Sequence, residues 1–223
     1  MSTETPDHKA PHDQSRNARH AARQDVSKDA RHAARMARKK ALIDAAIAAA
    51  TDERGLLIVI TGNGKGKSTS AFGMVARALG HGMKVGVVQF IKSRTDTGEE
   101  AFLGRQPGVE WHVTGDGFTW DTQNREQDIA TAERGWAIAA RMLADPAYQL
   151  VVLDELTYLL SYGYLDSDTV LDALAQRPPM QHVIVTGRAA SAALIELADT
   201  VSVIADEKHA FRAGVKAQPG IDL

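Results

Sequence analysis

Short, almost wholly apolar runs recur along the chain at Leu56-Leu57-Ile58-Val59-Ile60, Val85-Gly86-Val87-Val88, Leu150-Val151-Val152-Leu153, Val183-Ile184-Val185 and Val201-Ser202-Val203-Ile204. Runs of this length without polar alternation suit strands buried on both faces. Between most of them the pattern turns helical, which predicts helices over 67–80, 124–144, 167–175 and 190–197. An Ala-rich helix is expected over 41–50, broken by Thr51-Asp52-Glu53-Arg54-Gly55 before the first strand. Strands alternating with helices predict an α/β fold, a mostly parallel sheet with helices on both faces. Residues 93–124, rich in Gly, Thr and Asp with scattered aromatics, are expected to form a long irregular segment without core elements. Such a segment inside a compact domain usually carries function.

The first thirty-five residues differ from the rest: Arg, Lys, His and Ala dominate and large apolar residues are nearly absent. They cannot supply a core face, and one boundary follows, between a basic, mobile N-terminal arm over 1–35 and a domain over 36–223. The arm is either a solvated helix-prone tail or a basic flap that folds over an anionic ligand. In the chain as a whole, 44% hydrophobic and 24% charged residues leave enough apolar surface to offset the entropy of folding. A net charge of -2 gives no general field for nucleic acid or an acidic membrane surface. The absence of cysteine excludes disulfides, thiolate metal sites and cysteine nucleophiles. With no apolar run near the ~20 residues needed to span a bilayer, neither membrane nor nucleic acid is expected as a partner, and the cytoplasm is the expected location.

The chemistry concentrates in one loop. Gly62-Asn63-Gly64-Lys65-Gly66-Lys67-Ser68 follows the first strand and opens the helix predicted over 67–80. Backbone N–H groups and a helix N-terminus then converge on an anion, the arrangement that binds a triphosphate. The glycines admit close approach, Lys67 can reach the outer phosphates and the Ser68 hydroxyl can ligate Mg2+, while Thr69 extends the polar first turn. The general template has a glycine where Thr61 stands. A second signal is the strand Leu150-Val151-Val152-Leu153 ending in Asp154-Glu155, which places carboxylates beside the loop to meet the metal directly or through water. The expected fold is thus P-loop NTPase-like (RecA-like). Physics by itself stops at use of ATP or GTP, because ATPases, kinases and transferases share these parts.

Further segments narrow the choice. Glu53-Arg54-Gly55-Leu56-Leu57-Ile58-Val59, Arg77-Ala78-Leu79-Gly80-His81-Gly82, Val85 to Lys92, Gly117-Phe118-Thr119-Trp120-Asp121-Thr122-Gln123-Asn124, Leu153-Asp154-Glu155, Thr186-Gly187-Arg188 and the stretch from Lys208 to Ile221 resemble the corrinoid (cob(I)alamin) adenosyltransferases of the CobA/CobO/BtuR type. The likeness covers about residues 36–223 in order, and Thr61 agrees with that family's own loop.

The resemblance implies a reaction in which a Co(I) corrinoid attacks the 5′ carbon of ATP, forming a cobalt–carbon bond and releasing triphosphate. ATP is then co-substrate, the reduced corrinoid substrate, and Mg2+, or Mn2+ in its place, the metal. It implies Ser68 and Glu155 as metal ligands, with Asp154 behind them, and Gly62, Asn63, Gly64, Lys65, Gly66, Lys67, Ser68 and Thr69 around the nucleotide. Arg77, in the helix beyond the loop, is a further candidate phosphate contact. Phe118 and Trp120 are either aromatics packed under a loop or, as the resemblance implies, apolar rings that displace the lower axial ligand of cobalt and favour Co(I). Lys67, Phe118 and Trp120 form the candidate catalytic set. Trp111 and Trp136 are expected to pack, and no histidine is assigned, since attack by Co(I) needs no general base. The resemblance also implies a homodimer and an electron-donating flavoprotein. Two alternatives stand beside it: a P-loop kinase or ATPase, and a nucleotide-binding regulatory module whose basic arm contacts a partner.

Overall fold

In a computed structural model, the residues described are 12–91, 97–115 and 124–222. The chain divides into two compact units, Met1–Asp52 and Glu53–Leu223. The first contains one helix, α1 (His12–Ala49). It runs through residue 35, where the sequence reading ends the arm, and its residues 28–49 are exposed. High helix propensity, not burial, accounts for it.

The second unit is a six-stranded parallel sheet in the order β3-β2-β4-β5-β1-β6. In chain order it reads β1 (Leu57–Thr61), α2 (Lys67–Gly80), β2 (Val85–Gln89), α3 (Gly98–Leu103), β3 (Val109–Val113), α4 (Arg125–Ala144), β4 (Leu150–Asp154), α5 (Leu156–Ser161), α6 (Ser167–Ala175), β5 (His182–Thr186), α7 (Ala192–Leu197) and β6 (Thr200–Val203). The apolar runs form strands because successive residues serve opposite faces. Leu57, Val59, Val151, Leu153, Val183 and Val185 join a core with α4, α5, α6 and α7 residues such as Ala139, Met142, Leu156, Leu174 and Leu194. Their neighbours Ile60, Val85, Val87, Leu150, Val152 and Ile184 join a second core with Ala71, Phe72, Val75 and Ala78 of α2 and Leu103 of α3. A strand flanked by two helical layers has no solvent face, so polar alternation is absent.

Two expectations need correction. The run Val201-Ser202-Val203-Ile204 supplies β6 but is not buried on both faces: Thr200–Val203 is exposed throughout, at the edge of the sheet. Residues 93–124 are not devoid of core elements: α3 buries Leu103, and β3 pairs with β2 from Val85↔Val109 to Gln89↔Val113. Its sequence, Val-Glu-Trp-His-Val, carries a half-buried edge strand whose charged residues obscured the pattern. Glu110 on that strand is held by Arg141, His112 and the buried Tyr148 hydroxyl. The Tyr148 and His112 hydrogen bonds, followed by Arg141, pull its carboxyl from 4.5 down to about 2. A carboxylate depressed by folding contributes stability above its unfolded pKa, lost as pH falls toward the folded value. Glu110→Gln should therefore lower the melting temperature at pH 7 by roughly 2–4 °C, the contribution of about 1 kcal/mol expected of a half-exposed cluster. The gap should close between pH about 4.5 and about 2, and thermal melts at pH 7 and pH 3 check it. A gap equal at both values would show that the ionised state contributes nothing.

Candidate functional site

In a parallel sheet every strand ends at the same edge, and ligands bind where the connections part. Here β1 leads into the loop Gly62–Gly66, β4 into Asp154-Glu155 and β5 into Thr186-Gly187-Arg188, so the three segments meet by topology.

The loop is held by β6. Ile204 N–H donates to the Thr61 carbonyl at 2.8 Å and Gly64 N–H to the Ile204 carbonyl at 2.8 Å. Thr61 is tolerated at the position where the general template has glycine because it is still the last residue of β1. The left-handed turn begins at Gly62, with φ 104°, and recurs at Gly66, with φ 120°. The glycines serve the protein as well as a ligand. A Cβ on Gly62 would lie 2.4 Å from the Ile204 carbonyl oxygen, and one on Gly64 2.2 Å from that of Ala205. Gly66 caps α2 with no side-chain hydrogen bond. The N–H groups of the first turn are thereby left for an anion.

Lys67, buried at 7% exposure, folds back so that Nζ donates to the Gly64 carbonyl at 2.9 Å. Desolvation pulls its ammonium below the usual lysine range, Arg188 adds to this, and the carboxylates of Glu155 and Asp154 act against it. The cation is thus kept in a dry setting where an anion would interact strongly. Ser68 is half-buried beside it, while Asn63, Lys65 and Thr69 are exposed. Lys65 pairs with Asp222 at 2.8 Å. Arg77 occupies the last turn of α2, about 15 Å along the axis from Lys67 at 1.5 Å per residue. Within its own chain the structure does not bring it to the loop.

The acidic pair divides in two. Asp154 is fully buried, its Oδ1 accepting from the Thr186 hydroxyl at 2.7 Å and its Oδ2 from the Gln89 amide at 3.0 Å. Gln89 in turn accepts from the Trp111 indole at 3.0 Å, and Glu155 N–H donates to Thr186 Oγ1 at 3.0 Å. A chain of hydrogen bonds thus runs from β3 to β5 beneath the site. Glu155 alone makes the turn from β4 to α5 and sits at φ 64°, a left-handed conformation rare for a residue with a side chain. Such strain costs about 1–3 kcal/mol and persists where surroundings enforce it. The Ser68 hydroxyl and the Glu155 carboxylate are hard oxygen donors of the kind a small divalent cation takes, and among the described residues no group of three or more His, Cys, Asp or Glu could hold an ion.

Gln89, Thr186 and Arg188 were not singled out from the sequence as site residues. The signal was available: Thr186, like Asp154, closes an apolar run at the edge where ligands bind, and Gln89 is the single polar residue between Val88 and Phe90 in another. An open pocket of about 450 Å3 lies beside the loop, lined by Asn63, Arg188, Asp206, His209, Phe211 and Arg212. Trp111 packs on Phe72, ring centroids 5.0 Å apart, and Trp136 on the first core, as expected of them. Phe118 and Trp120 lie outside the described residues.

Comparison with known proteins places these features. The family model described as "ATP:corrinoid adenosyltransferase BtuR/CobO/CobP" matches residues 53–223, and one described as "Cob(I)alamin adenosyltransferase N terminal" matches 25–47. A corrinoid adenosyltransferase of Pseudomonas aeruginosa is 62% identical over 189 residues, 84% of this chain and 93% of the relative. One from Escherichia coli K12 is 56% identical over 185 residues, covering 83% and 94%. The corrinoid adenosyltransferase CobA of Salmonella typhimurium is 55% identical over 183 residues, covering 82% and 93%. A parallel sheet with a phosphate loop after β1 and an acidic turn after β4, matched over its whole second unit by one family, leaves a single assignment: the chain belongs to the ATP:corrinoid adenosyltransferases of the BtuR/CobO/CobP family.

Proposed function

We propose that the protein transfers the 5′-deoxyadenosyl group of ATP to a Co(I) corrinoid. The cobalt electron pair forms the bond to C5′ as the C5′–O bond breaks, and the leaving group is triphosphate. The observation that carries this reading is the match of residues 53–223 to the ATP:corrinoid adenosyltransferases, and its triphosphate half is supported by the buried Lys67 at the mouth of α2, set between the loop carbonyl of Gly64 and the field of Glu155. Negative charge grows on the triphosphate in the transition state, so donors fixed before the reaction act there most effectively. Lys67 and the uncapped first-turn N–H groups of α2 supply them. No protein nucleophile or base is needed.

Ser68 and Glu155 would hold Mg2+, or Mn2+ in its place. Two protein oxygens, completed by phosphate and water, suit a small hard cation, which would neutralise phosphate charge when bound. Asp154 acts behind them, fixing Thr186 and through it the Glu155 backbone. Around the nucleotide we place Gly62, Asn63, Gly64, Lys65, Gly66 and Thr69. Phe118 and Trp120 are assigned to the lower face of the corrinoid on the resemblance of their segment. On that resemblance also rest homodimeric assembly and an electron-donating flavoprotein, and the cysteine-free sequence suits the cytoplasm. Among the described residues no helix is long and apolar enough to cross a membrane. Residues 1–35 are read as an arm outside the catalytic domain.

An anaerobic assay with ATP, Mg2+ and chemically reduced cobalamin tests the reaction. The visible spectrum should change to that of the alkylated corrinoid, with triphosphate released in equal amount and no ADP. Appearance of ADP, or ATP turnover without corrinoid, would transfer the protein to the kinases or ATPases.

A further inference from the structure

After β6 the chain returns to the phosphate loop. A short 3-10 turn over Ala210–Ala213 follows His209, and Arg212 pairs with Asp206 at 2.6 Å. Further on, the Gln218 carbonyl accepts from the N–H groups of Ile221 at 3.2 Å and Asp222 at 2.9 Å. Asp222 Oδ2 accepts from Gln218 N–H at 3.0 Å, which closes the turn. The turn presents Asp222 Oδ1 to the Nζ of Lys65 at 2.8 Å. A carboxylate of the tail therefore sits on a lysine of the phosphate loop. Lys65 and the Gln218 N–H hold the Asp222 carboxyl below the usual range, so it is ionised at neutral pH. Independently, His209, Phe211 and Arg212 of the same tail share the walls of the pocket beside the loop with Asn63 and Arg188. The wall and its pin belong to one segment.

The strengths of the competing contacts decide what happens when an anion arrives. Lys65 is 47% exposed and Asp222 27%, and pairs this open to water contribute little. A triphosphate brings several negative charges and accepts charge-assisted hydrogen bonds. It would also repel the Asp222 carboxylate from the same lysine. A triphosphate within reach of Lys65 would therefore meet only weak competition from Asp222.

We propose that Asp222 is an occupancy-sensitive pin: it fastens the C-terminal tail to Lys65 while the loop holds no phosphate, and a bound triphosphate displaces it and frees residues 206–222. The proposal rests on the reading of the loop as a triphosphate site. On the return path, re-forming the pin would help expel the triphosphate product, since Asp222 competes for the same cation.

Inorganic triphosphate with Mg2+ is the probe, and the full chain and its Asp222→Asn variant are compared by calorimetry and by limited trypsin digestion. Cleavage after Lys208, Arg212 and Lys216, read by mass, reports the tail. In the wild type these cuts should accelerate severalfold on saturation with triphosphate. In Asp222→Asn they should be fast from the start, and triphosphate affinity should rise about two- to fivefold, the loss of a weak competing ion pair. Asp222→Glu should behave as the wild type. Triphosphate binding with unchanged or slower tail cleavage, or an Asp222→Asn affinity equal to or below the wild type, overturns the pin alone. If triphosphate does not bind the wild type at all, the reading of the loop falls and the pin with it.

Discussion

Replacing Lys67 by alanine is expected to lower adenosyl transfer about 10²–10³-fold, the effect of deleting one preorganised donor to developing charge, while stability changes by about 1 kcal/mol or less. The side chain is buried, and its Nζ donates to the Gly64 carbonyl. Its burial works against the charged form, so removing it relieves desolvation while losing that bond. The two effects nearly cancel in folding. They do not cancel in the transition state, where the ammonium meets the charge of the departing triphosphate. Urea midpoints and turnover numbers measured on the same preparation separate the outcomes. A loss of stability proportionate to the loss of activity would make Lys67 a structural residue.

Gly64→Ala should fail differently, losing both properties together. Its Cβ would lie 2.2 Å from the Ala205 carbonyl oxygen and 2.8 Å from a methyl of Ile204. Backbone is the obstacle, so no rotamer change relieves it. The loop must leave β6, the Gly64 N–H bond to Ile204 is strained, and overpacking of this kind destabilises by about 1–3 kcal/mol. Because Lys67 also takes its position from the Gly64 carbonyl, turnover should fall at least 100-fold, the order seen for one misplaced oxyanion donor. Gly73 on α2 supplies the control. A Cβ there meets nothing within 4 Å, and alanine in a helix interior should stabilise by about 0.5–1 kcal/mol with activity intact. Wild-type activity in Gly64→Ala would mean that the loop can re-form away from β6.

Five of the six strands, the helices α2, α4, α6 and α7, the phosphate loop and the acidic turn could be read along the chain. Each depends on local pattern: apolar runs buried on two faces, glycines before Lys-Ser, and carboxylates closing an apolar run. The edge strand β3 could not be read in this way. Val109–Val113 is a strand because β2 offers it a partner, and its Glu110 and His112 are satisfied by one another and by Arg141, more than twenty residues further along. The same holds within the site. Asp154 and Glu155 are neighbours of one chemical type, and only the sheet separates their tasks: β2 and β5 bring Gln89 and Thr186 to Asp154 and occupy both its oxygens. Glu155 takes the left-handed turn at the strand's end, its charge acting on Lys67. Nor does the sequence near Lys65 foretell a partner at Asp222. Local composition determined which groups could bind phosphate and metal. Hydrogen bonding and charge between residues far apart in sequence decided how each of them is held, because those energies depend on distances that only the folded chain sets.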